Sequence, residues 1–277
     1  MLYFTTFLFL ALTPIHASTP NSNSNSNTHT PAAALSFPVL EQKIEDFNAV
    51  QAASPNDSSK GCPRRLIALP LTPSFSAPKG TFSHGHTQTG DKCCLPKTYW
   101  SLISKGGMAK LPEVPWLFEV SRLDDETLDY YEPRVKVKDG NSNNKLQRVV
   151  GGALDFRSPS NFIFLPHWMM RSLGIKPKDV VNVRFTAATP PGSLVKLRPV
   201  GQNGGEFLRI SNHQSVLETE LRHYSCLTRG SRIPFDYNSK RYIFDVVDLR
   251  EAPGGGRVPV AKVQDCDIAV DFLKARK

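Results

Sequence analysis

The side chains best suited to chemistry in this 277-residue chain are its cysteines, its histidines and a few carboxylates. Five cysteines (Cys62, Cys93, Cys94, Cys226 and Cys266) are odd in number and show no CxxC spacing. Neighbouring residues of a strand point to opposite faces, so a bond between Cys93 and Cys94 is not expected. Buried free thiols suit a reducing compartment, even for a chain that first crosses the endoplasmic reticulum. His84-Gly85-His86 lies near the cysteine pair, but the ligand spacing matches no standard zinc pattern, and no metal or cofactor is expected. Acid proteolysis needs two Asp-Thr/Ser-Gly loops that share a proton. Thr89-Gly90-Asp91 has the wrong order and occurs once. His167 has the chemistry of a general base. Beside Trp168 and Met169 it is expected to be a structural histidine bonded to the backbone. No P-loop or Gly-rich nucleotide motif is present. With no catalytic constellation the expectation is a binding protein, not an enzyme. The alternative is an anion- or substrate-binding module, or an enzyme, which would need a cleft with convergent titratable groups.

The elements that must hold these residues are organised around Phe162–Met170. Apolar residues from Asn161 to Leu165 read as a buried strand. Pro166 fits the first helical turn, where its missing N–H costs nothing. Trp168, Met169 and Met170 continue a short helix to Leu173, and Gly174 ends it in the left-handed conformation. The same unit stands seventy positions earlier: strand Lys92–Leu95, corner Pro96, helix Thr98–Ile103, stop at Gly106-Gly107. After each copy comes a proline-marked turn, at Pro112–Pro115 and Pro177–Asp179, and another strand, Trp116–Val120 and Val180–Phe185. Two such halves interlocked about a pseudo-two-fold axis make a double-psi β-barrel. Closure leaves no open sheet edge.

Leu165-Pro166-His167-Trp168-Met169-Met170 resembles the signature of the ubiquitin fusion degradation protein 1 family. The likeness extends to Gly90-Asp91-Lys92 with Leu95-Pro96, to Val216-Leu217-Glu218 with Leu221-Arg222, to Cys226–Gly230 and to Asp265–Phe272. It covers about residues 62 to 273. It implies a mainly β fold, a double-psi β-barrel followed by a smaller α/β lobe, with the signature residues serving structure. It also implies a non-catalytic adaptor that binds ubiquitin or polyubiquitin chains and brings clients to a AAA unfoldase of the valosin-containing type. A nuclear protein localisation 4-like cofactor is the usual companion. Relatives continue into a tail with ATPase- and cofactor-binding segments, whereas this chain stops at Lys277. Ubiquitin binding is therefore expected to persist while direct ATPase binding weakens or falls to another subunit. The ubiquitin-contacting residues are not marked in the sequence.

The remaining segments divide by composition. Leu2 to Leu12 is almost wholly apolar, too short to span a bilayer, and Ile15-His16-Ala17 offers a cleavage site, so residues 1–17 read as a signal peptide. Residues 18–59 form a low-complexity leader, with residues 18–40 rich in Ser, Thr, Asn, Pro and Ala and without carboxylates. Such a segment cannot offset its ordering entropy and is expected to stay disordered. Behind a signal peptide it looks like a transit peptide, as on proteins sent to plastids of secondary origin. The nearest Phe is Phe37, displaced from Ala17. A cytoplasmic or nuclear address follows if residues 1–17 are no signal. Leu40, Ile44, Phe47 and Val50 give residues 39–53 helical spacing. Residues 60–200 are assigned to the barrel, 201–273 to the lobe and 274–277 to a tail. The barrel span carries 21 Lys and Arg against 11 Asp and Glu. This positive field favours acidic partner surfaces, but the residues are scattered, and nucleic acid is not expected. Gly201–Gly205 reads as a hinge and His213–Tyr224 as an amphipathic helix. Ile233–Tyr237, Tyr242–Leu249, Val258–Val263 and Ile268–Phe272 read as strands.

Overall fold

The computed structural model describes residues 37–277 apart from 78, 82–83, 105–113, 132–144, 187–188 and 276–277. The signal-peptide expectation, the first part of the transit-like leader (18–36) and the glycine stop at Gly106-Gly107 fall outside these residues.

Six strands close a barrel: β1 (Arg64–Pro70), β2 (Cys93–Pro96), β3 (Leu117–Arg122), β4 (Arg148–Ser158), β5 (Phe162–Leu165) and β6 (Val180–Thr186). Their order around it is β1-β5-β2-β4-β3-β6. Exchanging the halves (β1 with β4, β2 with β5, β3 with β6) returns the same cycle. The exchange also preserves strand direction. β1 with β5 and β2 with β4 are the parallel pairs, and the other four are antiparallel. The two expected Leu-Pro corners are thus the symmetry-related corners of a single double-psi barrel. Each strand that ends in a corner runs straight into a helix, β2 into α2 (Lys97–Ser104) and β5 into α4 (His167–Leu173).

Strand alternation decides what each barrel face does. Leu66, Phe118, Val149 and Val181 point inward, into the main core. Their neighbours Ile67 and Val180 point outward, to be covered by Leu40 and Ile44 of helix α1 (Phe37–Ala52). Leu117 and Val150 also point outward and meet Cys226 and Val260 of the following lobe. Helix α1 is therefore part of the folded unit, although it lies inside the span assigned to the leader and its residues 37–40 inside the stretch expected to stay disordered. Ile44 is fully buried, and covering such a side chain contributes about 2 kcal/mol. A further short helix, α3 (Asp125–Tyr131), supplies Tyr131 to the same outer cluster.

The lobe is a four-stranded sheet of order β12-β7-β10-β9 with a two-stranded sheet, β11-β8. Its strands are β7 (Gly192–Val200), β8 (Cys226–Thr228), β9 (Arg232–Tyr237), β10 (Lys240–Glu251), β11 (Val260–Lys262) and β12 (Ala269–Phe272). β7 lies within the span assigned to the barrel but pairs with β10 and β12. The reason is closure: β6 already bonds both β1 and β3, so the barrel offers β7 no edge. The expected hinge at Gly201 is instead helix α5 (Gly201–Phe207). Three glycines disfavour a helix, but fully buried Phe207 fixes it against the rings of Tyr242 and Phe244. Gly204 is needed there, since an added Cβ would stand 2.9 Å from Pro199. Helix α6 (His213–Leu221) follows, and one continuous core runs through barrel and lobe.

Candidate functional site

The signature helix α4 sits where barrel and lobe meet. Leu165 is buried in the core, and Pro166 precedes the first helical residue with an extended backbone. Leu95 and Pro96 occupy the matching place at the end of β2 and are likewise buried. Met169 packs its sulfur 3.7 Å from Cys93 Sγ, and Met170 is buried beside it. The Trp168 indole N–H donates to the Gly90 carbonyl at 2.8 Å, and its ring lies 6.0 Å from that of Tyr224 in the lobe. Gly174 takes φ +67° and donates its N–H to the Met170 and Arg171 carbonyls, ending the helix as expected. His167 departs from its expected role. Its ring is exposed, because the first residue of α4 faces outward, and its backbone N–H, not its ring, donates to Gln88 Oε1 at 2.9 Å.

Two clefts flank α4. One, of about 670 Å³, runs between α4 and the β9–β10 hairpin past Trp168, Arg171, Arg229, Arg241 and Ile243. The other, of about 400 Å³, shares Trp168, Arg171 and Arg241 and adds His167 and Lys176. Arg232 and Arg241 are held by Asp245 and Asp236. Arg171 and Arg229 have no carboxylate partner among the described residues. The cleft lining thus combines apolar Trp168 and Ile243 with arginines, two of them balanced by carboxylates.

The pseudo-two-fold mate of α4 is covered differently. Aligning the Leu-Pro corners places Trp100 of α2 where Met170 stands in α4. Helix α4 is roofed by β9 of the lobe, whereas α2 packs on β2 and β4 of its own barrel. Met170 is therefore buried, while Trp100 is 43% exposed. Trp100 stacks obliquely on Trp116 at 5.5 Å and on Phe156 at 5.7 Å, and exposed Val114 lies close by in sequence. Trp116 and Phe156 are half-buried. This rigid aromatic face was not read from the sequence, because its members come from a helix and two strand regions.

Behind α4, polar groups stitch the loop before β2 to the lobe. Asp91 is fully buried, and its Oδ2 accepts the backbone N–H groups of Ser225 and Cys226 at 2.9 and 3.0 Å. The Lys92 ammonium bonds the Ser225 hydroxyl and stands 3.9 Å from Asp91 Oδ1. The histidine–cysteine grouping near Cys93 does not converge: His84 Nδ1 meets the Ala77 carbonyl, and the Cys94 thiol donates to Asp155. His86 instead stacks on His223, with ring centroids 3.5 Å apart. Burial, with some help from His86 and Lys92, pushes the His223 imidazole down to about 4. Burial also lowers His86 and raises Glu220. Thr89, of the rejected protease motif, bonds His86 Nδ1 at 2.9 Å.

Comparison with known proteins gives the chain a context. Residues 74–189 match the family model described as Ubiquitin fusion degradation protein UFD1, N-terminal subdomain 1, and residues 191–275 match subdomain 2. The boundary between the two falls between β6 and β7, where the barrel ends in the structure. A relative from Caenorhabditis elegans, Ubiquitin fusion degradation protein 1 homolog, is 38% identical over 132 residues, 47% of this chain and 36% of its own length. The homolog from Dictyostelium discoideum is 32% identical over 178 residues, 64% of this chain and 48% of its own. The Homo sapiens protein named Ubiquitin recognition factor in ER-associated degradation protein 1 is 29% identical over 170 residues, covering 61% and 50%. The chain thus spans about half the length, or less, of the curated relatives it matches.

Proposed function

Because this chain belongs to the ubiquitin fusion degradation protein 1 family, we propose that it is a ubiquitin-binding adaptor without chemistry of its own. It holds ubiquitin or polyubiquitin on client proteins and presents them to a AAA unfoldase of the valosin-containing type. A nuclear protein localisation 4-like cofactor completes the assembly. The setting is ubiquitin-dependent degradation, or a protein-translocation system like that of ER-associated degradation.

The observation that carries this reading is the Trp100 face. Protein interfaces take most of their energy from a few aromatic anchors ringed by residues that exclude water. Trp100, with Trp116 and Phe156 behind it, is such an anchor. It suits the apolar patch on ubiquitin, and it stands on the helix that, among the described residues, lacks the lobe strand packed on its mate. The experiment is a titration of the full chain with ubiquitin chains, in the native form and as Trp100→Ala. The expected result is saturable binding that Trp100→Ala weakens at least about tenfold, the loss of a strong anchor, with the melting temperature little changed. Equal binding by the two forms removes the Trp100 face from the reading.

A second reading rests on Arg171 and Arg229. The arginines lining the α4 cleft suit an acidic peptide segment, the protein-borne form of an anion-binding module. The double charge reversal Arg171→Glu with Arg229→Glu then abolishes capture of an acidic peptide and leaves ubiquitin binding intact. For its address, we propose that residues 1–60 direct the chain into the secretory pathway, and onward to the compartment around a secondary plastid. A fluorescent fusion of those residues tests this, and diffuse cytosolic signal contradicts it.

A further inference from the structure

His86 comes from the loop before β2, and Glu220 and His223 from the end of α6 and the turn after it. The topology brings one ligand atom of each within 4.8 Å of the others. Glu220 is 7% exposed and His223 6%. Glu220 Oε2 is buried and accepts no hydrogen bond among the described residues. A buried carboxylate oxygen without a donor is costly, and a cation relieves that cost. The two imidazoles stack nearly parallel, 12° apart, which brings a nitrogen of each ring near the Glu220 carboxylate. Thr89, itself buried, lies 2.9 Å from His86 Nδ1. When that nitrogen donates to the threonine hydroxyl, Nε2 is left as the ligand, the usual outer support of a metal-bound histidine. The two segments are also pressed together: a Cβ at Gly90 would stand 2.7 Å from the His223 carbonyl.

We infer that His86, Glu220 and His223 form a divalent transition-metal site, with Zn²⁺ as the ion suited to two imidazoles, one carboxylate and an open fourth position. The ion would staple the barrel loop to the lobe directly behind the signature helix. This goes beyond the adaptor reading and does not depend on it. Metal–ligand bonds of about 2.0–2.1 Å require the three atoms to close in. The half-buried His86 can supply that movement. A shared ion must also lie near both ring planes, so binding tilts the stacked rings apart. Standard zinc spacings miss the site because its ligands lie far apart in the chain.

The test uses the full chain stripped with a chelator and titrated calorimetrically with Zn²⁺, alongside His86→Ala and Glu220→Gln. His86 sits on a partly exposed loop, so its replacement leaves the fold intact, which circular dichroism checks. The expected result is one equivalent bound, weakened roughly tenfold or more in each variant, and a melting temperature that Zn²⁺ raises in the native chain but not in His86→Ala. Co²⁺ in place of Zn²⁺ should show visible d–d bands without the sulfur-to-cobalt charge-transfer band that thiolate ligation would give. No binding at micromolar metal, unchanged affinity in His86→Ala, or a thiolate band would each overturn the assignment.

Discussion

Asp91 shows how much one side chain can carry. Its carboxylate is sealed from solvent and accepts two backbone N–H groups from the lobe, so it fastens the barrel loop to the strand that follows α6. Removing one partner of a buried charged arrangement leaves the others unsatisfied, at about 3–5 kcal/mol. Asp91→Ala is expected to lower unfolding stability by that amount in urea titration. Trp168→Phe keeps an aromatic ring but removes the indole N–H and orphans the Gly90 carbonyl, and the lost hydrogen bond alone should cost about 1–3 kcal/mol by the same measurement. The thiols give a kinetic check. Burial, reinforced by Asp155, pushes Cys94 up to about 12, and burial raises Cys62, Cys93 and Cys226. Cys266 is the one cysteine not buried. Since the thiolate is the reactive form, a disulfide reagent at neutral pH should label one thiol quickly and the other four only on unfolding. Two or more fast thiols in the folded chain would contradict the packing described.

Among the elements, α1 is the least expected part of the folded unit. Its apolar spacing is plain in the sequence, but what it covers is the outward side of Ile67 and Val180, which only the closed barrel defines. Ile44→Ala should therefore destabilise the whole domain by about 2–4 kcal/mol in a single cooperative transition. A small separate transition would mean that the helix is an appendage. The Leu-Pro corners could be read in advance because proline, glycine and the change of apolar period act locally, within each half. The placement of β7 could not, since it depends on β6 having already satisfied both barrel edges. The same holds for α5, where buried Phe207 outweighs three glycines. His167 was misjudged for a related reason: its apolar neighbours say nothing about which side of a two-turn helix faces solvent. The Trp100 face and the His86–Glu220–His223 cluster are assembled from distant segments, and no window of sequence displays them.

For the molecule as a whole, the symmetric barrel is used asymmetrically. One Leu-Pro helix is roofed by the lobe and lines a cleft that carries arginines, and the other keeps its aromatic face in solvent. The adaptor account requires that ubiquitin settle on the second. The chain's three tryptophans, Trp100, Trp116 and Trp168, make this testable in one spectrum. Each gives an indole N–H signal, and that of Trp168, bonded to the Gly90 carbonyl behind α4, is an internal control. When ubiquitin is added to the isotopically labelled full chain, the signals of Trp100 and Trp116 should move with a common saturation curve while that of Trp168 stays still. Movement of Trp168 alone, or of none of the three at saturating ubiquitin, would contradict the account.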